Sequence, residues 1–253
     1  MSALNLLCDY GSDDTSDESD KDISIPLKKP KLPTPNLSGV STVVLSEEHI
    51  DDPSLHNGRI RTFSHVRGNW ATFVYIEYPK KDKLLKIIDL LHTVLTTIDE
   101  SCIVCENVHI SLSKTFVLRY HMIKPLTTSL QEVLSNIESF DLNFDSVEVY
   151  CNEEKTRTFL ALGVDAMSHE YLINIVEKID NILGDFKLPK FYENPLFHMS
   201  ILSINGNKKE LILKNLQYLN EIFNHQKNKI LNPVNIIKVN CKSGNKVYQY
   251  CFK

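Results

Sequence analysis

Two short strings, Val108-His-Ile-Ser-Leu-Ser113 and Phe197-His-Met-Ser-Ile-Leu-Ser203, place a histidine and a serine on alternate positions within apolar stretches. In a strand, successive side chains point to opposite faces. His109, Ser111 and Ser113 are therefore expected on one face, with Val108, Ile110 and Leu112 on the other. The second string repeats the pattern: Phe197, Met199 and Ile201 inward, His198 and Ser200 outward. The histidines lie 89 residues apart, far enough for each copy to occupy its own half of one domain. Matched flanks argue for a repeated half-domain, and two facing imidazoles imply an acid and a base.

The chain of 253 residues is 42% hydrophobic and 24% charged, enough to bury a sizeable core. Residues 1–58 carry four Lys against eleven Asp or Glu, so the overall charge of −4 leaves the remainder mildly basic at +3. That sign suits a phosphate-bearing partner without specifying one. Residues 1–57 are read as a disordered acidic tail followed by a basic, proline-rich linker, because Asp9–Asp22 offers little to bury. Lys28-Lys-Pro-Lys31 on that linker is a short basic cluster that fits either a nuclear import signal or a solvated linker. No apolar run approaches the roughly 18 residues of a membrane span, and no signal peptide is expected. Six scattered cysteines point to reduced thiols. Cys102-x-x-Cys105 lacks the second pair that a zinc site needs, so no metal and no cofactor are expected.

Residues 58–253 are expected to fold as one domain. Trp70–Tyr78 reads as a strand and Lys81–Ile98 as an amphipathic helix with Leu84, Leu85, Ile88, Leu91 and Leu95 on one side. The first histidine strand is expected to run through Leu118, with a helix over Leu126–Phe140 after Pro125. Ser146–Cys151 and Thr156–Val164 pair around Asn152–Lys155. His169–Leu183 and Lys208–Asn224 are helical, Phe197–Ile204 is the second histidine strand, and Ile236–Asn240 and Val247–Phe252 close the fold. The class is α+β in two similar halves.

The sequence shows no Gly-rich phosphate loop, no HExxH string and no carboxylate triad. A serine hydrolase is disfavoured, because Ser111 shares a strand face with His109 in a way that suits joint binding of one ligand. Phosphodiester transfer in RNA fits better, since the substrate supplies its own 2′-hydroxyl nucleophile. One imidazole accepts that proton, the other protonates the departing 5′ oxygen, and the serine hydroxyls hold the non-bridging oxygens. A cyclic phosphodiesterase acting on small or tRNA-derived cyclic ends would use the same histidines, and a binding module that has lost turnover remains the reading from another class.

The paired His-x-Ser strings resemble those of the two-histidine (2H) phosphoesterases. Longer strings, Gly58–Ile76, Val108–Met122, Asn152–Leu160, Phe191–Ile201 and Cys241–Val247, are similar to the U6 small nuclear RNA phosphodiesterases, the Usb1/Mpn1 branch. The resemblance implies two pseudo-symmetric lobes, each an antiparallel sheet with flanking helices, around a central cleft. It implies a metal-independent 3′-to-5′ exonuclease that trims the oligouridine end of U6 RNA in the nucleus and leaves a 2′,3′-cyclic phosphate, opened in some relatives to a 3′-phosphate; a monomer is expected. Carried over residue by residue, His109 is the proton acceptor, His198 the proton donor, and Ser111 and Ser200 the phosphate holders. Tyr192 stacks on a terminal base, and Glu153, Ile110, Pro195 and Met199 complete the nucleotide site. The resemblance implies a glutamine against the terminal uracil at this position, where this chain has Glu153, a carboxylate that accepts hydrogen bonds but cannot donate them.

Overall fold

The computed structural model describes residues 66–79, 82–230 and 233–253. The acidic tail, the basic linker and the boundary expected at residue 58 lie outside these. Strand β1 (Asn69–Glu77) precedes helix α1 (Asp82–Ile98), and β2 (Ile103–Val104), β3 (His109–Ser111) and β4 (Phe116–Arg119) follow. Next come α2 (Tyr120–Leu134), β5 (Phe140–Leu142), the hairpin of β6 (Phe144–Cys151) and β7 (Arg157–Val164), and α3 (Ala166–Asp185). The chain ends with β8 (His198–Asn205), α4 (Lys209–Leu213), α5 (Leu216–Ile230), β9 (Val234–Ile236), and the hairpin of β10 (Lys238–Ser243) and β11 (Lys246–Cys251).

Nine of these strands form one antiparallel sheet in the order β11-β10-β1-β3-β8-β7-β6, with β4 also on β1 and β2 also on β8. The two expected lobes are thus halves of a single sheet. They meet where β3 pairs β8 through Ile110 opposite Met199. Through that pair runs the row Ile76, Ile110, Met199, Leu162 and Val147, one residue from each of five strands. None of the five is more than 1% exposed. Helix α2 packs on β4, β10 and β11, α1 on β2 and β8, and α5 on β6. Asn220 of α5 also accepts from the Val147 N–H and donates to its carbonyl, which occupies the open edge of β6.

Some local expectations shift. In α1 the buried stripe is Leu84, Ile87, Ile88, Leu91 and Leu95, and Leu85 is exposed. The first histidine strand does not run to Leu118. Between Tyr75 opposite Ser111 and Thr72 opposite Phe116, four residues of one strand face two of the other, so residues 112–115 bulge out. Ser113 consequently leaves the histidine face: it is buried, and its hydroxyl accepts from the Val74 N–H and donates to the Lys114 carbonyl. Helix α2 starts at Tyr120, with Pro125 inside it, and ends at Leu134. Only one intrahelical donor is lost at the proline, which the packing of Ile123, Leu126 and Leu130 offsets. The stretch expected as one helix over 208–224 is two, because Asn215 turns tightly on Ile212 before its carbonyl accepts from Leu219 to start α5. The described cysteines are free thiols, and no described helix is long and apolar enough to cross a membrane.

Ile110→Ala should lower unfolding stability by about 2–5 kcal/mol, since the shortened side chain leaves a cavity between the half-sheets. Leu85→Ala should change it by no more than about 0.5 kcal/mol. Urea unfolding followed through the single tryptophan, Trp70, measures both.

Candidate active site

The antiparallel register around Ile110 and Met199 sets His109 opposite Ser200 and Ser111 opposite His198, all on the face away from the buried row. The two imidazoles thus occupy diagonal positions on adjacent strands, a spacing of about 7 Å that leaves room for a phosphate-sized group between their rings. All four side chains are half-buried. A two-fold axis through the Ile110–Met199 pair relates one His-x-Ser string to the other.

The histidines are held identically. His109 Nδ1 lies 3.1 Å from the carbonyl of Asn107, and His198 Nδ1 lies 2.8 Å from that of Leu196. A carbonyl only accepts, so Nδ1 carries the hydrogen in both rings and Nε2 is the nitrogen that gains or loses a proton. Directly after Ser200, a bulge at Ile201 in β8 brings the Ile201 carbonyl to the Cys105 N–H at 2.9 Å. It also returns Leu202 and Ile204 to the buried face.

Around this symmetric floor the walls differ. The symmetry maps Tyr75 and Glu77, which pair with Ser111 and His109, onto Ala161 and Gly163, which pair with Ser200 and His198. Large residues thus flank the first half and small ones the second. Over the small pair lean two residues of β6 that sequence reasoning missed. The Tyr150 ring stacks on His198 at 3.9 Å between centroids and 18° between planes, and its hydroxyl donates to the Glu148 carboxylate. Gly163 makes the space: a Cβ there would lie 2.5 Å from Ser146 Oγ and 2.6 Å from Glu148 Oε1. Burial pushes the His198 imidazolium below its ordinary 6.5, and His109 adds to the depression. The Leu196 carbonyl and Glu148 act against it. On the other side, the rings of Tyr75 and Phe73 lie 5.6 and 6.0 Å from that of His109.

The loop before β8 carries Tyr192, which is 48% exposed. Helix α3 fixes the loop, since Asp180 accepts from the Phe191 N–H at 2.9 Å and His169 Nε2 donates to the Pro195 carbonyl at 3.0 Å. Tyr192 donates to Glu153 Oε1 at 3.3 Å, which unites two of the expected nucleotide residues. The Lys114 ammonium, carried outward by the bulge of residues 112–115, sits 4.2 Å from the centre of the Tyr192 ring. Burial, and then the Glu153 charge, raise the Tyr192 hydroxyl above its usual 10. Ile110, Met199 and Pro195, also expected at the nucleotide, turn their side chains into the core, and only their backbone can meet a ligand. For Ile110 and Met199 this follows from strand alternation, which sends the residue between His and Ser inward. Among the described residues no three His, Cys, Asp or Glu side chains cluster so as to hold a metal ion.

Two outcomes are expected from this geometry. Gly163→Ala should lower kcat while leaving stability within about 1 kcal/mol, because the new methyl displaces the flexible Glu148 and Ser146 side chains rather than the backbone. For a reaction that needs His198 protonated, kcat/KM should fall as pH rises through a value below 6.5. Glu148→Gln removes a negative charge that favours the imidazolium, so it should move that limb to still lower pH. A pH series of kcat/KM for both proteins checks the direction.

A family model described as HVSL, uncharacterised conserved protein, matches residues 30–251. U6 snRNA phosphodiesterase 1 of Drosophila melanogaster is 33% identical, over 98% of this chain and 99% of the fly protein. The Mus musculus protein of the same name is 36% identical, over 90% of this chain and 86% of its own. Among solved structures, Kluyveromyces marxianus Usb1 with uridine monophosphate superposes with a TM-score of 0.53 at 14% identity, over 72% of this chain and 98% of that one, a likeness of fold. The chain belongs to the HVSL family, and U6 snRNA phosphodiesterase 1 proteins are among its relatives.

Proposed function

We propose that this protein is a U6 snRNA phosphodiesterase, a 3′-to-5′ RNA exonuclease that trims the oligouridine end by attack of the substrate's own 2′-hydroxyl. The observation that carries the reading is the pair of Nδ1-anchored imidazoles set diagonally about Ile110 and Met199, with a serine opposite each. His109 Nε2 takes the proton of the 2′-hydroxyl of the penultimate nucleotide. The 2′ oxygen bonds to phosphorus, the bond from phosphorus to the 5′ oxygen breaks, and His198 Nε2 gives its proton to that leaving oxygen. Ser111 and Ser200 donate to the non-bridging oxygens. The products are a shortened RNA with a 2′,3′-cyclic phosphate and a freed terminal nucleoside. Both proton transfers are made by side chains, so no metal ion is required. The negative phosphodiester next to His198 raises its pKa in the complex, so the falling limb of kcat lies at higher pH than that of kcat/KM. We place the enzyme in the nucleus as a monomer, on the strength of Lys28-Lys-Pro-Lys31 for the compartment and of a cleft built within one chain for the oligomeric state.

His109→Ala and His198→Ala should each cost at least about a hundredfold in rate, and the double variant little more, because the two act as one unit. A 2′-deoxy residue at the penultimate position should abolish cleavage, and EDTA should leave it unchanged. Mass analysis of a 3′-uridylated RNA after incubation reads all three. Rapid opening of mononucleotide cyclic phosphates without shortening of that RNA would instead identify a small-substrate cyclic phosphodiesterase.

Glu153 accepts from Tyr192 and can accept from uracil N3–H, but it cannot donate to the uracil carbonyls. Glu153→Gln should therefore sharpen the preference for U-ended over A-ended RNA about two- to tenfold, the worth of one added hydrogen bond. Competition between the two RNAs in one reaction gives the ratio directly.

A further inference from the structure

Among the described residues, the half-sheet beside His109 presents an open face. Phe73 and Tyr75 project from β1 on the same side as His109 and are half-buried, with ring centroids 4.9 Å apart and planes inclined by 30°. Lys242 pairs with Phe73 across β10, and Val247 of β11 pairs with Lys242. Both are exposed. The buried face of these strands is the other one, which carries Val74, Ile76, Val239 and Cys241, with α2 packed on β10 and β11. An aromatic surface flanked by a lysine and continuous with a catalytic base has the makeup of a single-strand stacking platform.

The chemistry of the site says which part of an RNA strand reaches it. If His109 accepts the 2′ proton and His198 protonates the leaving oxygen, the terminal nucleotide lies toward Tyr192. The nucleotide that owns the 2′-hydroxyl lies toward His109, and hence toward Tyr75 and Phe73. Charge points the same way. Glu77 pairs with His109 on one side, its carboxylate within 3.4 Å of the Asn240 amide, and repels phosphates from that direction. Lys242 lies on the other side and attracts them.

We infer that Phe73 and Tyr75, with Lys242 beside them, form a second nucleotide subsite, which stacks the base on the 5′ side of the scissile phosphate and so holds its 2′-hydroxyl against His109. The subsite rests on the RNA-cleaving function proposed above. It makes the enzyme read two bases of the RNA end, one on each half of the sheet, and favours purines at the second because their larger rings stack better.

The test uses the full chain and RNAs that carry an abasic ribose, with its 2′-hydroxyl retained, at either the penultimate or the terminal position. For the native enzyme, loss of the penultimate base should lower kcat/KM about tenfold, a loss of about 1.4 kcal/mol. For the Phe73→Leu/Tyr75→Leu variant, which keeps apolar bulk on β1, the same loss of base should change little. Tyr192→Leu should remain sensitive to the penultimate base and lose its sensitivity to the terminal one. Because each enzyme serves as its own reference, a partly unfolded variant does not blur the ratio. A native enzyme indifferent to the penultimate base, or a double variant as sensitive as the native enzyme, would overturn the subsite alone. An enzyme that cuts none of these RNAs would overturn the function and the subsite with it.

Discussion

Everything in the site hangs on one backbone pairing, that of Ile110 with Met199. Among the described residues this one register pair joins β3 to β8, yet it sets which residues face each other across the join, and so puts each histidine opposite the other string's serine. A slip of one residue would turn every side chain of one strand to the opposite face. The buried row of Ile76, Ile110, Met199, Leu162 and Val147 makes such a slip costly, because it would drive the His-x-Ser residues into the core and the aliphatic residues into the cleft. The apolar residues between His and Ser are therefore the device that fixes the catalytic register. Sequence identity at those positions reflects packing as well as any contact with a ligand.

The symmetric floor carries asymmetric walls, and the asymmetry arises one strand further out. At equivalent places β1 has Tyr75 and Glu77 where β7 has Ala161 and Gly163. The small pair admits the ring of Tyr150 and the carboxylate of Glu148 from the edge strand, and together with burial they set the surroundings of His198. The large pair confines His109 with rings of its own strand. Two copies of one motif thus acquire different surroundings without any change in the His-x-Ser pattern.

The parts legible in the sequence were those that depend on period and local chemistry: the two histidine strands, the hairpin around Asn152–Lys155, helix α1 and the α+β class. Tyr192 and Glu153 were found through the family strings, and the hydrogen bond between them gives that pairing a physical basis. Features that depend on a partner strand were not legible. Ser113 sits two residues past Ser111 and fits the alternation, but the bulge that removes it from the face is forced by the pairing of β1 with both β3 and β4. Glu148 and Tyr150 alternate like any half-buried strand. Only the absence of a side chain at Gly163, directly opposite His198 on the neighbouring strand, brings them to the site. Helix α2 extends past Pro125 because tertiary packing outweighs the local signal that a proline gives.

The matched anchoring of the two rings has a further meaning. Each imidazole is oriented by the carbonyl two residues before it, just ahead of its strand, so in the mechanism proposed above either ring could start a cycle as base and finish it as acid. Microscopic reversibility would then let the cleft run the exchange in both directions. With water in the place of the departed 5′-hydroxyl, His198 would become the acceptor and His109 the donor, and the cyclic phosphate would open. With a 5′-hydroxyl in that place, the same motions would rejoin the strand. On that mechanism, whether a processed RNA keeps its cyclic end depends on how long that end stays in the cleft and on which hydroxyl reaches the vacated position first, with no separate set of catalytic groups needed.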